Sequence, residues 1–119
     1  MIFIRTGAPG SGKTTYAQNY IKDILGANKN AKINIVNSFK KEYSIFKDNV
    51  SFCKSVDDID SKINYDLIVL EEYHLSETDL SKIEKLSKDT TIIVISQFIS
   101  DNQMKTFIDM GANIQKCIR

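Results

Sequence analysis

Residues 2–14 of the chain read Ile-Phe-Ile-Arg-Thr-Gly-Ala-Pro-Gly-Ser-Gly-Lys-Thr. The run opens with three apolar residues, a pattern typical of a short buried strand. It breaks at Gly7 into a glycine-rich turn, and apolar residues at helical spacing follow Lys13. The spacing from Gly7 through Gly12 to the Lys13-Thr14 pair matches G-x-x-x-x-G-K-[ST], the pattern of a phosphate-binding loop. The start of the chain therefore predicts a strand, an anion-binding turn and a helix in succession.

Each residue type in this loop has a chemical reason. The glycines let the backbone approach an anion closely, because side chains would block the approach. Successive backbone N–H groups then point at the anion beside a helix N-terminus. Lys13 supplies a compact positive charge for the β- and γ-phosphates, and the Thr14 hydroxyl can bind Mg²⁺. The residues predicted to bind the phosphates are Gly7, Ala8, Pro9, Gly10, Ser11, Gly12, Lys13, Thr14 and Thr15.

The composition is that of an ordinary globular domain. The chain has 119 residues, 42% of them hydrophobic and 26% charged, which predicts a single domain spanning residues 1–119. No stretch reaches the length of a membrane span, and the chain enters a strand at once, so neither a span nor a signal peptide is expected. Cys53 and Cys117 lie far apart, which favours reduced thiols in the cytoplasm over a disulfide or metal site. The net charge of +1 excludes an overall basic excess for nucleic acid, though not a local basic patch.

Strand-like and helix-like patterns alternate along the rest of the chain. Apolar spacing predicts a helix over 13–25, and serine–aspartate pairs at 55/58 and 76/79 predict the starts of two more helices. A further helix is expected to begin at Asp101 and to end at Gly111. Strands are predicted at 2–4, 33–36, 66–70, 90–95 and 114–118, with 50–53 as a short extended piece. The alternation predicts a three-layer α/β/α sandwich with a mainly parallel five-stranded sheet.

Polar residues follow two of the predicted strands. Glu71 and Glu72 come directly after an apolar run, and Ser96 and Gln97 follow the next predicted strand, which we expect to lie beside it in the sheet. Parallel strands place ligands at their carboxyl ends, so we expect these side chains to face the phosphate loop. Glu71 would hold Mg²⁺ directly or through water, Glu72 would deprotonate the attacking water, and the Gln97 amide would contact the γ-phosphate or that water. The predicted catalytic residues are Lys13, Glu72 and Gln97, and the predicted metal-binding residues are Thr14 and Glu71.

With these residues placed, the chain resembles P-loop NTPases of the additional-strand, catalytic-glutamate division, which includes RecA-like and AAA+ proteins. The matching order is a phosphate loop, a second strand, an apolar strand followed by Glu72, and a strand that ends at Gln97. More narrowly, it is similar to the FtsK–HerA group of DNA translocases and viral packaging ATPases. The features that carry this narrower resemblance are Glu42-Tyr43, Glu71-Glu72, Ser96-Gln97 and a final strand ending at Arg119. The chain departs from the group in having Glu71 where aspartate is usual, Asn37 where an acid is common, and no accessory regions.

The resemblance implies a sheet of the P-loop NTPase type and Mg²⁺-dependent binding and hydrolysis of ATP by a minimal ATPase. It further implies coupling to DNA translocation, packaging or another nucleic-acid process, in a homo-oligomer or with a partner protein that completes the site. A phage or mobile-element origin would fit so compact a chain, and would place it in the host cytoplasm.

Two alternatives stay open at this point. Residues 7–17 also resemble the start of polynucleotide kinases, which makes a small kinase for a nucleotide, a polynucleotide end or a metabolite the first alternative. Such kinases use several lid arginines, whereas this chain has only Arg5 and Arg119. The second is a nucleotide-dependent switch with little turnover of its own, favoured by the small size and the lack of a clear arginine finger. A finger supplied in trans would have to be Arg5, Arg119 or a lysine.

Overall fold

The computed structural model of the chain describes residues 1–7, 12–36, 40–46, 48–71, 75–97 and 99–117. Strands and helices alternate along these residues, as the sequence predicts. The six strands are β1 (Ile2–Thr6), β2 (Ile33–Val36), β3 (Val50–Cys53), β4 (Leu67–Glu71), β5 (Thr91–Ser96) and β6 (Asn113–Lys116). The three α-helices are α1 (Lys13–Ala27), α2 (Glu77–Leu86) and α3 (Asp101–Asp109), and two 3₁₀ helices span Lys40–Phe46 and Val56–Asp58.

The described strands form one sheet in the order β3-β2-β4-β5-β1-β6, and every pair of neighbours is parallel. The prediction of five strands is wrong by one, because Val50–Cys53 pairs with β2 as a full strand. The sequence predicts these residues as an extended piece, and their pairing with β2 is a contact between distant residues that the local pattern does not specify. The expectation that the strand after Glu71 in the chain also neighbours it in the sheet is confirmed, since β5 pairs with β4. β5 therefore lies between β1 and β4.

The two faces of the sheet are covered by different helices, because side chains alternate between faces along each strand. One face, which we call the α1 face, packs against α1 and the Lys40–Phe46 helix. Its fully buried members include Ala17, Ile21, Ile35, Tyr43, Val69 and Ile93. The opposite face packs against α2 and α3, and its members include Ile4, Ile68, Leu80, Ile83, Val94 and Phe107. This arrangement is compatible with three α/β/α layers.

The predicted helices form with one exception. α1 begins at Lys13 and runs two residues past the expected end. The Ser55/Asp58 pair does not start an α-helix: a three-residue 3₁₀ helix follows Ser55, whose hydroxyl donates to the Asp58 carboxylate at 3.0 Å and caps no backbone amide. Among the described residues, no helix combines the length and the apolar character that crossing a membrane needs.

The predicted Ser76/Asp79 pair does cap α2. The Ser76 hydroxyl accepts the Asp79 backbone N–H at 3.1 Å, and the Asp79 carboxylate accepts the Ser76 backbone N–H at 3.0 Å. We expect Ser76→Ala to lower the free energy of unfolding by about 1 kcal/mol, because one of the helix's unpaired N–H groups loses its acceptor. Urea denaturation measures this change. Ser81→Ala, at an exposed position of the same helix, is the control and should change the free energy by less than about 0.5 kcal/mol; equal effects of the two substitutions would contradict the cap.

Candidate functional site

The carboxyl ends of the parallel strands bring three predicted site segments to one edge of the sheet. Gly7 follows β1, Glu71 is the last residue of β4, and Gln97 follows β5. The register pairs Glu71 with Ile95, and Ile95 with Arg5 on β1. Glu71 therefore lies level with Arg5 near the end of β1, two strands away across β5. This edge is where ligands bind in parallel α/β sheets.

The two ends of the predicted phosphate loop have the backbone geometry that glycine favours. Gly7 has a φ of 147°, and Gly12 lies in the left-handed region with a φ of 94°. Gly12 is also the N-cap of α1, and its carbonyl accepts the Tyr16 N–H at 3.0 Å, which opens the helix. A residue with a side chain would be strained at this φ. Residues 8–11 of the predicted loop lie outside the described residues.

Lys13 is buried at the start of α1. Only 5% of its surface is exposed, and its ammonium group donates to the Gly7 carbonyl at 2.6 Å. This short charge-assisted hydrogen bond joins the two ends of the predicted loop. A positive charge therefore lies beside the loop, as binding of a phosphate group would require.

Glu71 accepts hydrogen bonds on both carboxylate oxygens. The Thr14 hydroxyl donates to Oε1 at 2.6 Å, and the Tyr43 hydroxyl donates to Oε2 at 2.7 Å. Thr14 lies at the start of α1, Tyr43 lies on the Lys40–Phe46 helix, and only 4% of Glu71 is exposed. The structure thus brings the two predicted metal-binding residues, Thr14 and Glu71, into direct contact.

The environment changes the acidity of Glu71 and Tyr43. Burial raises the pKa of the Glu71 carboxyl above its usual range, the hydrogen bonds from Thr14 and Tyr43 act in the opposite direction, and the nearby Glu42 raises it further. Burial, followed by the negative charge of Glu71, raises the pKa of Tyr43. The Tyr43 hydroxyl consequently keeps its proton and stays a hydrogen-bond donor to Glu71.

The oxygen atoms of Thr14 and Glu71 suit Mg²⁺. This ion prefers oxygen ligands and is commonly held by one or two carboxylates together with the phosphates of a substrate. A threonine hydroxyl that donates its proton to Glu71 still has lone pairs for a cation. Within the described part of the chain, no group of three or more histidine, cysteine, aspartate or glutamate side chains could hold a metal without a ligand's help. The fit to Mg²⁺ therefore rests on the Thr14–Glu71 pair.

The remaining predicted residues are placed only in part. Gln97 is exposed directly after β5, and Thr15 is exposed on the first turn of α1. Glu72, the predicted base, and Arg119 lie outside the described residues, as do the loop residues Ala8, Pro9, Gly10 and Ser11.

Arg5 is buried, and its guanidinium group is hydrogen-bonded within the chain. It is 5% exposed, and its guanidinium group lies 4.3 Å from the centre of the Tyr16 ring. It donates to the Tyr16 hydroxyl at 3.1 Å and to the backbone and side-chain oxygens of Asn113 at 3.2 and 3.1 Å. An arginine held in this way cannot serve as a finger in trans, so Arg5 is no longer a candidate for that role.

Tyr43 is the site residue that the sequence did not assign. The resemblance includes it in the Glu42-Tyr43 pair, but nothing in the sequence connects it to Glu71. A buried tyrosine hydroxyl usually has a hydrogen-bond partner. That rule is the signal that Tyr43, if buried, would need an acceptor. The identity of that acceptor depends on the fold, because 28 residues separate Tyr43 from Glu71.

No protein-family model matches the chain, and a search of curated proteins finds no match either. The functional argument therefore depends on the residues and their geometry.

Proposed function

We propose that the chain is a minimal P-loop ATPase, which binds ATP with Mg²⁺ and hydrolyses it. The observation that carries this proposal is the 2.6 Å hydrogen bond from the Thr14 hydroxyl to the Glu71 carboxylate. Thr14 directly follows the loop lysine, and its hydroxyl donates to Glu71 at the end of β4. This is the pairing that a Mg²⁺ site of a P-loop protein requires.

The order of the strands supports the same proposal. β5 separates β1, which leads into the predicted loop, from β4, which ends in Glu71. A strand inserted between these two is the feature for which the additional-strand division is named. The strand order is independent of the loop motif, since nothing in residues 7–14 determines which strands are neighbours.

In this proposal each residue has a distinct task. The backbone N–H groups of the loop and the Lys13 ammonium group would bind the phosphates, and Thr14 and Glu71 would hold Mg²⁺, which would supply positive charge beside the phosphate oxygens. Glu72 takes a proton from the attacking water, as its place directly after Glu71 suggests, and Gln97 orients that water from the end of β5. Coupling to DNA translocation or packaging, in an oligomer, is the part of the proposal that rests on the resemblance alone.

The proposal is tested by measuring phosphate release from ATP by the purified chain, with Mg²⁺ and with EDTA. We expect release with Mg²⁺ and none with EDTA, because the metal neutralises the charge that develops during transfer. The same assay with and without DNA, alongside a mass measurement of the assembly, tests the coupling. Failure to bind ATP in the presence of Mg²⁺ would contradict the proposal.

Two other outcomes would favour the alternative functions. Binding of Mg²⁺–ATP without release of phosphate would favour the nucleotide-dependent switch. Transfer of labelled phosphate to a nucleotide, a polynucleotide end or a metabolite would favour the kinase.

A further inference from the structure

Tyr43 is a fully buried aromatic residue of the α1 face that also makes a polar contact. None of its surface is exposed, and it belongs to the same buried apolar cluster as Ile35, Val69 and Ile95. From there its hydroxyl donates to Glu71 at 2.7 Å. A phenylalanine would fill the same apolar space, so packing alone does not account for the hydroxyl.

The segment that carries Tyr43 is tied to the helix that carries Thr14. The Gln18 side-chain amide, on α1, donates at 2.7 Å to the backbone carbonyl of Glu42, the residue before Tyr43. The Thr14 and Tyr43 hydroxyls that donate to Glu71 thus come from two helices, α1 and Lys40–Phe46, that are joined by this hydrogen bond. This arrangement defines the position of the Glu71 carboxylate from both sides.

We propose that Tyr43 is a positioning residue of the Mg²⁺ site: it holds the Glu71 carboxylate so that one oxygen accepts the Thr14 proton, leaving the lone pairs of the Thr14 hydroxyl for the metal. This inference rests on the proposed function and deepens it. A carboxylate that accepts a donor on each oxygen has little freedom to rotate. Without the Tyr43 hydroxyl, Glu71 loses one of the hydrogen bonds that fix its carboxylate, so the carboxylate is held less firmly against Thr14.

The test compares Tyr43→Phe with the unsubstituted chain. The measurement is the Mg²⁺ concentration that gives half-maximal binding of a fluorescent ATP analogue, together with binding of that analogue in EDTA. We expect Tyr43→Phe to raise the Mg²⁺ requirement about tenfold, the lower end of the loss seen when a group that orients a metal ligand is removed. Binding in EDTA should stay unchanged, because the phosphate loop is intact.

Tyr65→Phe is the matched control. Tyr65 is also buried, at 8% exposure, and its hydroxyl accepts from the Asn34 amide at 3.3 Å in the core on the opposite face. This variant also loses a buried tyrosine hydroxyl, but one away from the site, so its Mg²⁺ requirement should equal that of the unsubstituted chain. Circular dichroism checks that each variant folds.

If Tyr43→Phe does not fold, Gln18→Ala replaces it, since this substitution frees the Tyr43 segment from α1 without altering the core. We expect it to raise the Mg²⁺ requirement in the same direction, and no shift would overturn the proposal. An unchanged Mg²⁺ requirement in folded Tyr43→Phe, an equal shift in Tyr65→Phe, or an equal loss of binding in EDTA would also overturn it. Failure of the unsubstituted chain to bind the analogue would instead overturn the proposed function, and this inference with it.

Discussion

Glu72→Gln is expected to slow ATP hydrolysis by about 10²–10⁴-fold, the contribution typical of a positioned general base. Glutamine has nearly the shape of glutamate but cannot accept a proton from the attacking water. Binding of Mg²⁺–ATP should persist, since Lys13, Thr14 and Glu71 are unchanged. Phosphate release measures the rate, and titration with a fluorescent ATP analogue measures binding.

Glu77→Gln provides the matched control for this substitution. Glu77 is an exposed residue at the start of α2, so the variant loses the same charge close by in the chain without touching the proposed site. It should hydrolyse ATP at the rate of the unsubstituted chain. If Glu72→Gln also keeps that rate, the base is another group. If both variants lose activity, the effect comes from net charge and not from proton transfer.

Lys13→Met is expected to weaken ATP binding about 100-fold, or about 3 kcal/mol, the upper end of what hydrogen bonds to charged groups contribute. Methionine keeps much of the apolar length of the side chain and removes only the charged end. The free energy of unfolding should change by about 1 kcal/mol or less, because losing the bond to Gly7 is offset by no longer burying an ammonium group. Calorimetric titration with ATP and urea denaturation measure the two quantities.

Lys22→Met is the control that separates the role of Lys13 from the effect of losing one positive charge. Lys22 is exposed on the same helix, and its replacement should leave ATP affinity unchanged. Similar affinities of Lys13→Met and the unsubstituted chain would show that Lys13 does not contact the phosphates. A large loss of stability in Lys13→Met would indicate a structural role for the Gly7 contact instead.

Most of the fold could be predicted because its signals are local. Apolar runs bounded by turns predict β1, β2, β4 and β5, residues 114–118 are predicted as the last strand, and the Ser76/Asp79 pair predicts the start of α2. The errors have the same origin. The pattern of residues 50–53 predicts an extended piece but not its pairing with β2, and Ser55 and Asp58 have the residue types of a helix cap but hydrogen-bond through their side chains instead.

The candidate site was predictable only as far as its motifs reach. The spacing of Gly7, Gly12 and Lys13 indicated a phosphate loop, and the acids after an apolar run indicated a metal ligand and a base. The spacing of residues along the chain predicts neither the Tyr43 contact to Glu71 nor the burial of Arg5 against Tyr16. Both contacts join residues on different elements, and the motif of one element does not specify its neighbour.

Residue order alone was enough to specify the alternation of strands and helices, the start of α1 at Lys13, and the side-chain chemistry available at the strand ends. These properties follow from backbone preferences and apolar periodicity within a few neighbouring residues. Folding was needed to place β1 on the other side of β5 and to bring Thr14 and Tyr43 onto the two oxygens of Glu71. Contacts of this kind form only when the sheet closes against α1, because packing joins residues that are distant in the chain.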